Sequence, residues 1–365
     1  MMKISEIISL IEEIAPLPLQ EEYDNAGMQV GDKSREATGA LLCIDVTEDI
    51  IDEAIQQGLN LVISHHPLLF KGLKSITGRN YIERIVIKAI KNDIAIYSAH
   101  TNLDNAFGGV NFKIAEKLKL QNLQILSPMK DKLLKIVVFV PTADADNVRE
   151  AMLNAGAGKI GDYDMCSYNM TGYGTFRPGE CATPYCGEVG MLHKEEEVRI
   201  EVILPNYLRE KVVGEMLKSH PYQEPAYDII QLENELAFAG SGVIGELTNP
   251  MEAEEFLKIV KDVFKVDAIK YSSHSGKKIK KVALCGGSGA FLINDALRAN
   301  ADAFITGEIG YHNFFVAEKR ILLVEAGHYE TEQYTKDIFC DIITKKFPNF
   351  AVRYTNVEET PINYL

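Results

Sequence analysis

Residues 59–70 read Leu-Asn-Leu-Val-Ile-Ser-His-His-Pro-Leu-Leu-Phe, an apolar run that stops at two adjacent histidines and a proline. Leu59, Leu61, Val62 and Ile63 predict a buried strand, because a short continuous run with β-branched residues suits a sheet covered on both faces. His65 and His66 fall at its carboxyl end. Neighbouring strand side chains point to opposite faces, but Pro67 ends the pairing and lets the chain turn, so both imidazoles can face one cleft. Taken alone, the dipeptide fits one core and one surface histidine equally well. Other stretches decide between the two.

The same pattern recurs far along the chain. Ala40–Ser64 (ALLCIDVTEDIIDEAIQQGLNLVIS) lies without a gap over Val282–Thr306 (VALCGGSGAFLINDALRANADAFIT), placing Cys43 on Cys285, Ala54 on Ala296 and Ser64 on Thr306. Both spell strand, turn, helix, strand, and the second strand ends at His65-His66 in one and Gly307-Glu308 in the other. After a further helical stretch each continues into another strand with a polar end, AIYSAHTNLDN and LLVEAGHYETE. The pattern predicts an α/β protein with two duplicated lobes facing each other across a cleft. Between them, strand-helix-strand occurs twice in about a hundred residues, which predicts an inserted ferredoxin-like α+β domain. The expected domains are 1–127, 128–233 and 234–365. Inside the insert, TGYGTFRPGECATPYCG (171–187) reads as a loop or irregular hairpin, and KEEE (194–197) as a solvated acidic loop.

Composition narrows the function classes. A chain of 365 residues, 46% apolar and 25% charged, suits a soluble globular protein of two or three domains. The net charge of −14, with no sustained basic run, argues against a nucleic-acid partner. Six scattered cysteines suit reduced thiols in the cytoplasm. No apolar run approaches the ~18 residues of a membrane span, and the acidic start does not resemble a signal peptide. Cys181, Cys186 and His193 match no zinc spacing and are not expected to form a metal site.

Four strand ends carry candidate ligands: His65 with His66, His100 with Asp104, Glu308, and His328 with Glu332. Ligands gather at the carboxyl ends of strands in open α/β sheets, so one cleft can collect them all. A helix starting after Gly327 would put His328 and Glu332 on one face, although such a pair is also an ordinary surface ion pair. Imidazoles mixed with carboxylates suit zinc, manganese or iron, and the set is large enough for two ions about 3.5–4 Å apart. The Gly286–Gly289 turn offers backbone amides for an anion, but tight strand-to-helix packing is the preferred reading.

In order, YDNAGMQVGD, ISHHPLLFKGLKSI, SAHTNLDNAFGGVN, CGGSGA, TGEIGYH and GHYETE resemble the GTP cyclohydrolase 1 type 2 homologues. These are the dinuclear-metal hexameric proteins of the NGG-interacting-factor-like family. The resemblance covers nearly the whole chain, and the insert is similar to the PII/CutA-like domain of the longer bacterial members. It implies two divalent metals, zinc foremost with iron or manganese as alternatives, held by residues matching His65, His66, Asp104, His328 and Glu332. It also implies a ring-shaped homohexamer, a trimer of dimers. His100 and Glu308 are then candidates for catalysis or for orienting ligands. Tyr23 departs from the Trp of many members. The expected function is a metal-dependent hydrolase acting on a nucleotide-like or phosphorylated small molecule, with a non-catalytic metal-storage, metal-delivery or regulatory ring as the alternative.

Overall fold

The apolar run does form a strand: in the computed structural model Leu61–Ser64 is buried at every position. Each of Leu61, Val62 and Ile63 contributes about 1.5–3 kcal/mol by leaving water. The structure describes residues 2–357 and 360–363. The chain up to Ser127 and from Ala239 onward makes one compact unit, and Pro128–Phe238 makes another.

The first unit opens with α1 (Ile4–Ile14), whose Ile4, Ile7, Ile8 and Ile11 form the buried stripe expected of an amphipathic helix. Next come β1 (Gly27–Val30), β2 (Ala40–Cys43), α2 (Glu48–Gln57), β3 (Leu61–Ser64), α3 (Tyr81–Lys91), β4 (Ala95–Ser98), α4 (Thr101–Asp104) and α5 (Val110–Lys117). Thr47 caps α2 by accepting the Ile50 N–H. β5 (Gln121–Met129) leads out of this unit.

The second unit holds β6 (Leu133–Pro141), α6 (Ala145–Asn154), β7 (Tyr168–Phe176), β8 (His193–Pro205), α7 (Arg209–Ser219) and β9 (Tyr227–Leu232). This is a β-α-β-β-α-β order with strands arranged β7-β8-β6-β9, every pairing antiparallel. Alternate residues Ile136, Val138, Val140, Ile200 and Val202 pack with Val148 and Met152 of α6 and Val212 and Met216 of α7.

One expectation holds in part and one fails here. Residues 177–187 are irregular, in the connection of an antiparallel hairpin, but 171–176 belong to its strand β7, and Lys194–Glu197 are not loop but the start of β8; the two strands pair from Tyr168↔Glu201 to Phe176↔His193. Ladder bonding along the full length of β8 overrides the turn-forming character of Gly172 and Gly174 and the polarity of the acidic run.

The chain returns to the first unit with β10 (Leu236–Met251), α8 (Ala253–Phe264), β11 (Lys270–Tyr271), β12 (Ile279–Cys285), α9 (Ile293–Arg298), β13 (Ala303–Thr306) and β14 (Leu322–Glu325). It closes with α10 (His328–Glu332), α11 (Thr335–Lys346) and β15 (Val352–Tyr354). Two sheets result, ordered β1-β4-β3-β2-β15 and β11-β14-β13-β12-β10-β5. β2 pairs in parallel with β3 from Ala40↔Leu61 to Cys43↔Ser64, and β12 with β13 from Val282↔Ala303 to Cys285↔Thr306. β4 and β14 extend these sheets in parallel, and each carries an antiparallel edge strand, β1 or β11. The fold is thus mixed α/β, with strand carboxyl ends from both sheets available to one site.

Candidate metal centre

Four imidazoles and two carboxylates converge where β3, β4 and β14 end. His65 follows β3 directly and is fully buried; its Nδ1–H donates to the Ala99 carbonyl at 2.9 Å. His66 donates from Nδ1 to Asp45, just beyond β2, at 2.9 Å. His100, after β4, donates from Nδ1 to Asp24 at 2.8 Å, and Asp24 also accepts from the Thr101 backbone and hydroxyl. His328, the first residue of α10, donates from Nδ1 to Glu308 at 3.1 Å, and Glu308 accepts from Ser288 at 2.5 Å. One rule covers all four rings: an acceptor fixes Nδ1. Such partners set the tautomer and orientation of metal-binding histidines.

The opposite nitrogens meet carboxylates. Glu332 lies 2.9 Å from His66 Nε2 and 3.2 Å from His328 Nε2. His65 Nε2 stands 3.7 Å from both Asp104 and Glu332, and it is a buried nitrogen with no hydrogen-bond partner among the described residues. His65, His66 and His100 bring ring nitrogens within 4.8 Å of one another, and His66, His328 and Glu332 bring ligand atoms equally close. A cation would satisfy this orphaned buried nitrogen between two carboxylates, so the donor set fits divalent metal.

The electrostatics agree. Burial lowers the His65 pKa against the pull of Glu332. Burial opposes charging of His66 too, but Asp45 and Glu332 outweigh it and push the pKa up to about 10; the same contest, won by Glu332, puts His328 at about 9. Burial and the nearby Glu332 raise Asp104 well above the carboxylate range. Glu332, although buried, is held well below that range by His65 and by hydrogen bonds from the histidines around it. Two carboxylates sharing one pocket, Glu332 buried and Asp104 partly so, cannot both ionise cheaply without a cation.

The glycine turn after β12 packs against this centre. Gly287 has φ +59°, and a Cβ there would meet Glu332 Oε1 at 2.2 Å. Its amide donates to Thr331, that of Gly286 to Asn111 and that of Gly289 to Thr306. These amides are engaged within the protein, which supports the packing reading over an anion site.

Of the residues the sequence singles out, His65, His66, His100, Asp104, Glu308, His328 and Glu332 all come together. Sequence reasoning missed Asp24 and Asp45. Asp24 lies in the quoted YDNAG stretch without an assigned role, and Asp45 stands where the gap-free alignment of 40–64 with 282–306 has Gly287. Exposure is graded, from buried His65 to Glu308 at 60%, so the centre opens on the Glu308 side. In the second unit Cys186, His193 and Glu195 also approach within 4.8 Å, although their spacing matched no zinc pattern.

The family model for Duf34/NIF3 (NGG1p interacting factor 3) matches residues 2–361. The chain belongs to this family. A Bacillus subtilis relative named GTP cyclohydrolase 1 type 2 homolog is 40% identical over 329 residues, covering 89% of this chain and 87% of that protein. A relative of the same name from Halalkalibacterium halodurans is 44% identical, over 84% of this chain and 82% of its own length. Among solved structures, a Bacillus cereus protein related to NIF3 shares 39% identity at a TM-score of 0.85, covering 100% of this chain and 99% of that one. A Staphylococcus aureus protein shares 28% identity at a TM-score of 0.78, with the same coverage. Among the described residues of this family member, no helix is long and apolar enough to cross a membrane.

Proposed function

We propose that this DUF34/NIF3 protein is a metal-dependent hydrolase built on a two-metal centre, with His65, His66, Asp104, His328 and Glu332 as ligands. The observation that carries the reading is His65 Nε2, buried without a partner and 3.7 Å from each of two carboxylates. Glu332, within reach of three imidazoles, suits a bridging role, and Asp104 is its counterpart. Zinc is the first candidate, with iron or manganese accepted by the same donors. Two bound divalent ions would supply Lewis acidity and a water of lowered pKa.

The chain's own residues do the rest. Asp24 orients His100, with Phe70 against the ring at 5.6 Å, so its free nitrogen is positioned to move a proton. Glu308 and Ser288 steer His328 at the open side. A small nucleotide-like or phosphorylated substrate entering there would meet these groups first. The two sheets, with equal registers and edge strands, are read as copies of one α/β unit. The inserted unit is read as a ferredoxin-like, PII/CutA-like domain, and the assembly as a homohexameric ring in the cytoplasm.

The test is metal content per chain by elemental analysis of protein purified without chelator, for wild type, Asp104→Ala and His328→Ala, followed by a screen of phosphoesters and nucleotides. About two ions per chain, lost with turnover in both variants, is the expected result. Turnover by a metal-free variant overturns the reading. Stoichiometric metal with no turnover of any substrate favours the storage or delivery ring.

A further inference from the structure

The second unit contains a cavity of about 710 Å³ on the face of its sheet that α6 and α7 leave uncovered. Ile200 and Val202 of β8 face the helices, so the alternating residues Glu197, Arg199 and Glu201 face the other way. Segments around 178–185 and 222–226 arch over this face. The volume lies within the roughly 300–1,000 Å³ of small-molecule sites. Aromatic residues, among them Phe139, Phe176, Tyr185 and Tyr222, line it.

Two polar groups break the apolar lining. Glu197 is 8% exposed, and among the described residues its carboxylate accepts one hydrogen bond, from the Tyr222 hydroxyl at 3.0 Å, and has no cationic partner. A carboxylate is rarely buried so deeply unless paired. Arg199 lines the same cavity and pairs with Glu201 at 2.7 Å, while its Nε is buried without an acceptor among the described residues. A buried anion beneath aromatic rings is the chemistry that recognises ammonium groups.

Gly172, opposite Glu197 in the ladder, keeps the floor open: a Cβ there would meet nothing within 4 Å. Gly174 yields its side-chain space to the Glu197 carboxylate, whose Oε2 would lie 2.3 Å from a Cβ. Both glycines read as removed walls.

We propose that this cavity binds a small organic cation, its protonated amine pairing with Glu197 inside the aromatic walls and an acceptor oxygen on the same molecule meeting Arg199. Two residues along a strand span about 6.6–6.8 Å, which sets the separation of the two groups. The site is distinct from the metal centre, and its ligand class does not depend on the hydrolase reading.

The experiment is isothermal titration calorimetry of the full chain with tyramine and tyrosinamide, whose phenol oxygen lies far enough from the amine to span the two groups, and with 4-hydroxyphenylacetate as the anionic control. At least one amine is expected to saturate at one site per chain, and the anion is not. Glu197→Gln should weaken that amine by about tenfold or more, as loss of a buried charge-assisted bond requires. Gly172→Leu, which fills open space, should abolish binding while circular dichroism and metal content stay as in wild type. Binding by none of the amines, equal binding by the anion, or amine binding that survives both substitutions overturns the proposal. A change of oligomeric state in Gly172→Leu without amine binding in wild type also overturns it, since the face would then be an interface.

Discussion

Gly287→Ala is the sharpest probe of the metal centre because it changes no ligand. The added Cβ would sit 2.2 Å from Glu332 Oε1, whereas ordinary contact begins near 3.4 Å, so the carboxylate must retreat by about 1 Å. Retreat opens its contacts to His66 at 2.9 Å and to His328 at 3.2 Å. An L-residue at φ +59° adds about 1–2 kcal/mol of backbone strain. Metal affinity should fall about 10–100-fold, the usual cost of disturbing a ligand through its neighbours. The control is Gly286→Ala, one residue away, where the nearest atoms lie at 3.3 and 3.5 Å and φ is ordinary. Competition against a chromogenic zinc chelator, with thermal unfolding in parallel, separates affinity from stability. Equal zinc affinities for the two variants would show that Glu332 does not hold metal in the geometry described, and the reasoning would fail.

Other expectations follow from the same network. Asp45→Asn, which keeps shape but loses the charge on His66 Nδ1, should weaken metal binding about tenfold or more in the same competition assay. His66 and His328, with pKa values of about 10 and about 9 in the metal-free protein, are protonated at pH 7. Metal loading there should release two or more protons, read by calorimetry in buffers of different ionisation enthalpy; no release would contradict their assignment as ligands. Burial would raise Asp24, but His100 and Thr101 hold it at about 2 against an ordinary 3.8. Its contribution to stability is therefore fully present above about pH 4 and lost as pH falls through about 2. Asp24→Asn should flatten that limb of an acid titration of the metal-free protein. Phe304→Ala, at a fully buried core position, should cost about 3–5 kcal/mol in denaturant unfolding.

The legible parts of the fold were those where one residue pattern had one structural meaning. The apolar runs of β3 and β13 could only be buried strands, and the gap-free match of 40–64 with 282–306 foreshadowed identical registers. The convergence of the candidate ligands at strand ends was legible for the same reason: polar residues directly after buried strands have few other places to go. Asp45 was not, because the aligned position in 282–306 is Gly287, so comparing the two stretches hid it. Asp24 acts on a histidine 76 residues away, and nothing local signals such a contact. The acidic run at 194–197 misled because charge was counted and alternation was not. Val198, Ile200, Val202 and Leu204 mark one face, and extending that period backward puts Glu195 and Glu197 on the other, within a strand.

The two sheets of the first unit each end in a strand supplied from elsewhere along the chain. β15, near the carboxyl end, lies beside β2 in the early sheet, while β5, made before the insert, lies beside β10 in the late one. The sheets are therefore laced together, and neither can be completed from one contiguous stretch of polypeptide. During synthesis, His65, His66 and Asp104 emerge long before Glu332, with the whole second unit translated in between. The proposed metal centre can therefore assemble only after α10 has been made, and a product truncated before α10 would carry His65, His66 and Asp104 without their later partners.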